Sequence, residues 1–197
     1  MILLGGQTSP YVRVVRLQIE LCKLHDQVTL EMVPTRVPDS PVHKHNPTGK
    51  IPTLVVDDDH AIAEARLICE YLDKFHDGPK FAPVERSLAE SAFEGKAIGF
   101  IDGVAVYIRE ARRPVDEQSP GIIEQEQARA RRCMAWMTAE MDTLSAPLDY
   151  ARSCIAVALW RLRYSLPDFD WAAEFPAVHT WLEQVEAMPE FPRTAPE

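Results

Sequence analysis

The sequence predicts a small α/β domain followed by an all-helical domain. Short apolar segments typical of strands occur only in the first part of the chain, whereas apolar residues spaced three and four apart dominate the rest. Between the two parts lies a stretch rich in glycine and proline, where the apolar pattern lapses. We therefore expect domains at 1–77 and 87–197 joined by a linker at 78–86, and a chain of 197 residues has room for both.

Strands and helices alternate in the first domain. Strand patterns cover residues 2–4 and 28–33, and helical spacing of apolar residues covers 10–24 between them. Because a helix that connects two strands implies parallel pairing, we expect these two strands to be parallel. Residues 53–63 are predicted to form an antiparallel hairpin around an acidic turn, followed by a helix over 67–75. A small mixed sheet with helices packed on it follows from this order.

The second domain shows only helical patterns. Helices are predicted over 87–112, from Ser119 onward, around 155–162 and over 178–188. The second of these carries an apolar stripe formed by Ala130, Met134, Met137, Met141 and Leu144. We interpret the stripe as core packing, since steps of four and three place these side chains on one face of a helix.

Composition excludes several classes of partner. Hydrophobic residues make up 46% of the chain and the net charge is −9, which argues against general nucleic-acid binding and against adhesion to anionic membranes. The four cysteines form no CxxC pair and lie among apolar residues, so we expect buried reduced thiols and no metal site. Neither a secretory signal nor a long apolar span is visible, and we expect a soluble cytoplasmic protein.

The segment "TSPYVRVVR" places Ser9 directly before Pro10 at the predicted start of a helix. The structural interpretation is an N-cap serine with proline at the first helical position, a cap worth about 1 kcal/mol. The functional interpretation uses the same geometry, because a helix N-terminus favours an anion. A hydroxyl at that position can donate to a thiolate and lower the pKa of the thiol.

A second segment, "NPTGKIPTLV", ends in a predicted strand. Ile51-Pro52 stands directly before that strand, where proline either ends pairing or forms a cis turn. A cis bond is expected to leave the backbone of Ile51 facing outward, able to pair with an extended peptide. Downstream, Glu64 ends the hairpin and opens the next helix, another N-terminus that favours anions.

These segments occur in a familiar order. The chain resembles a cytosolic glutathione S-transferase of the short bacterial type. The resemblance rests on the order of "SPYVRVVR", "NPTGKIPTLV", "EARLICEYLD", a linker containing proline, and "FPAVHTWLEQVEAMPEF". The resemblance implies a thioredoxin-like N-terminal domain, a helical C-terminal domain, a homodimer and a cytoplasmic role in detoxification. Glutaredoxins, which share the thioredoxin-like fold, carry C-P-Y-C where this chain has "SPYV", so the serine resembles an exchange of redox chemistry for thiol activation.

The resemblance also implies roles for individual residues. Ser9 matches the catalytic hydroxyl that donates to the sulfur of glutathione, and Ile51 before Pro52 matches the residue whose backbone pairs with the cysteinyl amides. Glu64 and Ala65 match the pair that holds the γ-glutamyl end. The glycine carboxylate is expected to meet one of three residues, namely Lys50, His43 or His45.

Two positions depart from the family's pattern. Ala65 stands where a serine is usual, so one donor to the γ-glutamyl carboxylate is missing, although Arg66 is a possible substitute. Loss of a hydrogen bond to a charged group costs about 1.5–3 kcal/mol. In the helical domain the usual Ser/Thr-x-x-Asp cap is absent from "ARSCIAVA", so Asp149 or Ser153 is expected to cap that helix instead.

The end of the first helix of the second domain, "YIREARRP", lines the electrophile cleft in the family. Tyr107 and Arg109 are therefore candidate substrate contacts, and the alternative is a solvated helix end whose arginines face the C-terminal dipole.

Three functions follow from the resemblance. The first is a transferase in which Ser9 activates glutathione, the co-substrate, for attack on a small hydrophobic electrophile without a metal. The second is a non-catalytic protein of the same fold that binds protein partners. The third is a glutathione-dependent thiol reductase or lyase, of which the reductase is disfavoured because position 9 is not cysteine.

Overall fold

The computed structural model describes residues 1–196 and contains one mixed four-stranded sheet in that range. Its strands are β1 (Ile2–Gly5), β2 (Thr29–Met32), β3 (Thr53–Val55) and β4 (Ala61–Ala63), in the spatial order β2-β1-β3-β4. β1 is parallel to β2 and antiparallel to β3, and β3 is antiparallel to β4. The predicted α/β arrangement is thereby confirmed, with both the parallel pair and the hairpin in place.

Two helices accompany this sheet, α1 (Pro10–Leu21) and α2 (Ala65–Leu72). The first ends earlier than the predicted residue 24 because Lys23 adopts a positive φ of 56°, a left-handed conformation that terminates helices. The second continues into a 3-10 turn at Asp73–Phe75. The core of this region is apolar and fully buried, and it includes Leu3, Val14, Val15, Leu17, Leu54, Ile68 and Leu72.

Further along the chain the described elements are helical. They are α3 (Leu88–Ala111), α4 (Pro120–Ala139), α5 (Met141–Leu144), α6 (Tyr150–Ser165), α7 (Trp171–Glu174) and α8 (Pro176–Glu186). Four of the five residues of the predicted apolar stripe pack in the core, with Ala130 3% exposed and Met134, Met137 and Leu144 each 0% exposed, whereas Met141 is half-buried. The stripe crosses from α4 to α5, because Glu140, between the two helices, lies outside helical geometry at φ −112° and ψ 28°.

Asp149 caps α6. Its carboxylate accepts a hydrogen bond from the backbone N–H of Arg152 at 2.8 Å and also forms an ion pair with the Arg152 guanidinium. Ser153, the other predicted cap, is fully buried inside the helix, and its hydroxyl has no hydrogen-bond partner. A shifted helix start therefore compensates for the missing family cap.

The C-terminal helix α9 (Glu190–Arg193) lies against α1. By its contacts the chain divides into one compact unit of residues 1–86 with the segment from Pro189 onward, and a second unit of residues 87–188. The sequence predicted that this last segment belongs with the helical domain. Its hydrogen bonds instead go to Arg13 and Arg16 of α1, contacts that join positions about 180 residues apart and leave no local signal in the sequence.

No helix within residues 1–196 combines the length and the apolar character that crossing a membrane requires.

Candidate functional site

Ser9 is the N-cap of α1, and Pro10 is the first residue of the helix. The Ser9 Oγ accepts from the backbone N–H of Val12 at 3.4 Å, and the Ser9 N–H donates to the carbonyl of Gly6 at 3.2 Å. The capping prediction is thereby confirmed. The capping bond is long, and the hydroxyl hydrogen has no acceptor among residues 1–196. Ser9 is half-buried and α1 has no acidic residue in its first turn, so this N-terminus keeps both its dipole and a spare O–H donor.

Ile51 packs against the turn that precedes Ser9. A Cβ built on Gly6 would lie 3.0 Å from Cδ1 of Ile51, so a larger residue there would have to push the end of the isoleucine side chain aside by a few tenths of an ångström. Ile51 also packs on the buried side chains of Leu4, Val33 and Val42. The structure therefore places Ile51 against the turn that leads into Ser9, although the two residues are 42 positions apart in the sequence.

The peptide bond between Ile51 and Pro52 is cis, as expected. Ile51 lies before the first residue of β3, Thr53, and within residues 1–196 its backbone N–H and C=O make no hydrogen bond. Pro52 is buried. A free N–H and C=O at a half-buried residue next to a sheet can pair with an extended peptide ligand.

Buried Asn46 holds the loop that carries Ile51. Its side-chain nitrogen donates to the carbonyl of Lys50 and to Oγ1 of Thr53, each at 3.0 Å. Its side-chain oxygen accepts from the backbone N–H of Thr48 at 3.0 Å and from the Thr48 hydroxyl at 2.8 Å. Sequence reasoning saw only a turn in "NPTG". The signal that identifies Asn46 is the asparagine two residues before a threonine, which is the pattern of an Asx turn.

Glu64 stands at the start of α2 with an unusual backbone. Its φ is 77° and its ψ 121°, a region that residues with a side chain rarely adopt, and its exposed carboxylate does not cap the helix. Such strain tends to persist at ligand-binding positions. Ala65 follows as the first residue of α2 and is only 2% exposed, so the helix N-terminus here offers backbone N–H groups without a side-chain donor.

The sequence suggested Arg66 as a replacement for the missing serine donor to the γ-glutamyl carboxylate, but in the structure its guanidinium is used elsewhere. Its guanidinium donates to the carbonyls of Ala82 at 3.1 Å and Pro83 at 2.7 Å and pairs with Glu70. These bonds fasten the predicted linker to α2. Sequence reasoning also missed Asp73, whose carboxylate accepts from the backbone N–H groups of the same linker.

Three cationic or titratable residues lie in or next to the loop before β3. His43 packs over Gly49, whose φ is 65°, and a Cβ on that glycine would lie 2.9 Å from Nε2 of His43. Nδ1 of His43 is 3.1 Å from the carbonyl oxygen of Pro38, and its side chain is exposed, as is that of Lys50. His45 is half-buried at the end of the 3-10 turn Pro41–Lys44.

Tyr107 and Arg109 belong to the helical unit. Tyr107 is 4% exposed, its hydroxyl accepts from Nε2 of Gln127 at 2.7 Å, and its ring meets Phe169 edge-on at 5.8 Å. Arg109, two residues later in the same helix, is exposed. The structure thus places Tyr107 in packing and leaves Arg109 accessible.

The thiols of Cys22, Cys133 and Cys154 are not activated nucleophiles. Burial and the nearby Asp73 carboxylate raise the pKa of Cys22 to about 11, and burial also raises the pKa values of Cys133 and Cys154. Among residues 1–196 no group of three His, Cys, Asp or Glu side chains has the geometry to hold a metal ion.

Residues 8–74 match the family model of the glutathione S-transferase N-terminal domain. Over its whole length the chain also superposes, with a TM-score of 0.89 and 27% identity, on 98% of a glutathione transferase family member from Pseudomonas fluorescens Pf-5 with bound glutathione. The N-terminal region of the chain, residues 8–74, is a glutathione S-transferase N-terminal domain. The chain also superposes over its whole length on a glutathione S-transferase from Methylobacillus flagellatus KT with glutathione bound. The TM-score is 0.87, the identity is 27%, and 99% of that protein is covered.

A curated relative comes from Escherichia coli strain K12. It is an uncharacterized GST-like protein, YibF, and it is 26% identical over 206 residues, which cover 98% of each chain. These matches confirm the predicted family and the combination of a thioredoxin-like domain with a helical domain.

Proposed function

We propose that this chain is a glutathione transferase in which the Ser9 hydroxyl stabilises the thiolate of glutathione. The observation that carries the proposal is the spare hydroxyl hydrogen of Ser9 at the N-terminus of α1, beside the unpaired backbone of Ile51. Two related proteins of this family, each 27% identical to the chain, have glutathione bound, which supports glutathione as the ligand.

The proposed chemistry needs one deprotonation and one displacement. The thiol of glutathione loses its proton to solvent, and the Ser9 O–H donates to the resulting thiolate while the positive end of the α1 dipole faces it. The thiolate then attacks an electrophilic carbon. A sulfur–carbon bond forms, and the electron pair of the broken bond leaves with the displaced group or remains on the acceptor.

The rest of the tripeptide is proposed to extend along the edge of the site. The backbone of Ile51, before Pro52, pairs with the cysteinyl amides, because its N–H and C=O have no other partner in residues 1–196. The γ-glutamyl amine meets the exposed carboxylate of Glu64, and its carboxylate meets the N-terminus of α2 at Ala65.

The glycine end and the electrophile complete the proposal. Exposed Lys50 supplies a cation for the glycine carboxylate, and His43 is the alternative. Tyr107 and Arg109 are the proposed contacts of a small hydrophobic electrophile; the Arg109 side chain is exposed, whereas Tyr107 is buried and its hydroxyl is bonded to Gln127. We further propose a cytoplasmic homodimer that acts in detoxification, on the strength of the family alone.

The decisive experiment titrates the thiol of bound glutathione by ultraviolet absorbance. We expect Ser9→Ala to raise that pKa by about 1 to 2, the value of one hydrogen bond to a charged group. Ser9→Thr keeps the hydroxyl and is expected to match the wild type. Ser9→Asp keeps a cap for α1 but has no proton to donate, so it separates the capping role from the activating role.

Equal thiol pKa values in the wild type and in Ser9→Ala would contradict the mechanism and leave Ser9 as a helix cap. Ser40→Ala is the matched control, since Ser40 also caps a short helical turn by accepting from Val42.

A non-catalytic binding protein is the second candidate, and Ala65 favours it because a side-chain donor to glutathione is missing. Retention on immobilised glutathione, with elution by the free tripeptide, distinguishes the two. Failure to bind glutathione at millimolar concentration would favour the binding protein, and partner capture then becomes the informative experiment.

A further inference from the structure

Arg161 is a buried cation without a counter-ion. It lies in α6 and is 4% exposed, and its Nη1 is fully buried with no hydrogen-bond partner. Within residues 1–196 its guanidinium makes no hydrogen bond or ion pair at all. An isolated buried charge costs several kcal/mol, so proteins normally pair it. The chain therefore holds a desolvated guanidinium that its own described residues do not satisfy.

A second arginine increases the positive charge at this place. Arg112, at the C-terminal end of α3, acts on Arg161 through like-charge repulsion, and burial together with that repulsion lowers the pKa of Arg161. The Nη2 of Arg112 reaches Oγ of Ser165 at 3.3 Å. No carboxylate within residues 1–196 lies in ion-pair distance of either arginine.

An aromatic surface adjoins Arg161. Tyr164 is 61% exposed and stacks on Trp160, with ring centroids 4.9 Å apart and planes only 9° from parallel. The guanidinium carbon of Arg161 lies 5.6 Å from the centre of the Tyr164 ring. An exposed aromatic ring next to the Arg161 guanidinium suits a ligand that combines a planar ring with an anion.

We propose that Arg161, Arg112 and Tyr164 form a binding site for a small aromatic carboxylate in the helical unit. The carboxylate pairs with the guanidinium of Arg161, and Arg112 contributes the second cation. The ring of the ligand stacks on Tyr164. This site does not depend on the proposed role of Ser9, so a test of it can fail while the transferase proposal holds, and the reverse.

Isothermal titration calorimetry with benzoate, at low ionic strength and with saturating glutathione present, tests the proposal. We expect benzoate to bind the wild type, and Arg161→Met to weaken that binding at least about tenfold, because a hydrogen-bonded charge pair is lost. Arg132→Gln is the matched control, since Arg132 is an exposed arginine of α4, and it is expected to bind benzoate like the wild type. Cyclohexanecarboxylate, which cannot stack, should bind more weakly than benzoate.

Thermal unfolding distinguishes a ligand site from a structural role for Arg161. Without an anion, Arg161→Met is expected to be at least as stable as the wild type, because an unpaired buried charge is replaced by an apolar side chain of similar size. Benzoate should raise the melting temperature of the wild type but not of the variant. If Arg161→Met does not fold, Arg112→Gln takes its place in both measurements with the same expected loss of binding.

Three results would overturn the proposal. One is equal benzoate affinity in the wild type and the arginine variants. The second is no effect of millimolar benzoate on the wild type in either measurement. The third is a wild type that binds inorganic phosphate as well as it binds benzoate, since that marks a general anion contact and not an aromatic carboxylate site.

Discussion

The guanidinium carbon of Arg13 lies 4.1 Å from the ring centre of Phe191, so a helix near the start of the chain is covered by residues that come 178 positions later. Nε of Arg13 donates to Oγ1 of Thr194 and Nη2 donates to the carbonyl of Phe191, both at 3.1 Å. Arg13 is only 3% exposed. The contact fixes α1, the helix that Ser9 caps.

Phe191→Ala is expected to lower the free energy of unfolding by about 3–5 kcal/mol, because it removes a 2% exposed ring and the cation–π contact with Arg13. Urea denaturation measures the change. Phe75→Ala is the matched control, since that ring is 40% exposed, and it should cost less than about 1 kcal/mol. Similar losses in the two variants would show that α9 adds little to the stability of the first unit.

Asn46→Ala is expected to weaken glutathione binding although Asn46 is not proposed to touch glutathione. Its amide holds the Lys50 carbonyl and the Thr53 hydroxyl, and losing these bonds frees the loop that presents Ile51. We expect about a tenfold higher dissociation constant by calorimetry. Asn46→Asp keeps the acceptor for Thr48 but loses both donors, so it should resemble Asn46→Ala. Wild-type affinity in Asn46→Asp would contradict the positioning role.

Ala65→Ser is expected to tighten glutathione binding about tenfold, since it supplies the hydroxyl that the family usually has at this position. Ala63→Ser introduces the same group two residues earlier, in β4, and should leave the affinity unchanged. Equilibrium titration of both variants against the wild type gives the comparison. A weaker affinity in Ala65→Ser would mean that the 2% exposed site cannot accommodate the added oxygen.

The Cys22 thiol is expected to react slowly with alkylating reagents at neutral pH. Its pKa is about 11, so at pH 8 only about one thiol in a thousand is ionised, and the thiolate is the reactive form. Alkylation by iodoacetamide, followed by mass spectrometry of the Cys22 peptide over a pH series, measures the midpoint. In urea the midpoint should fall to about 8.5. A midpoint near that value in the folded protein would refute the predicted effect of burial.

Local patterns were sufficient to predict the strands, the hairpin and the core stripe, because period-two and period-3.6 spacing directly reflects which side chains are buried. The cap at Ser9 and the cis bond before Pro52 were likewise visible as short motifs. Contacts between distant segments were not visible in the sequence. The placement of α9 depends on Arg13, and an arginine among valines in a helix gives no indication of its partner.

The site shows the same division. Ser9 and Ile51 were predicted from short motifs and their family resemblance, but nothing local indicated that Gly6 allows their segments to approach. Asn46 and Asp73 were missed because each organises a loop through several backbone groups at once, and that number of bonds becomes visible only in three dimensions. The left-handed backbone of Glu64 was also unexpected, since a glutamate is not a residue that favours it.

The attachment of α9 to α1 also affects the order of biosynthesis. Arg13 leaves the ribosome long before Phe191 and Thr194, its partners 178 and 181 positions later, have been translated. A nascent chain that has emerged only as far as residue 86 therefore carries the sheet and α1 with this arginine still uncovered. Completion of the first unit must wait for the helical unit to be synthesised.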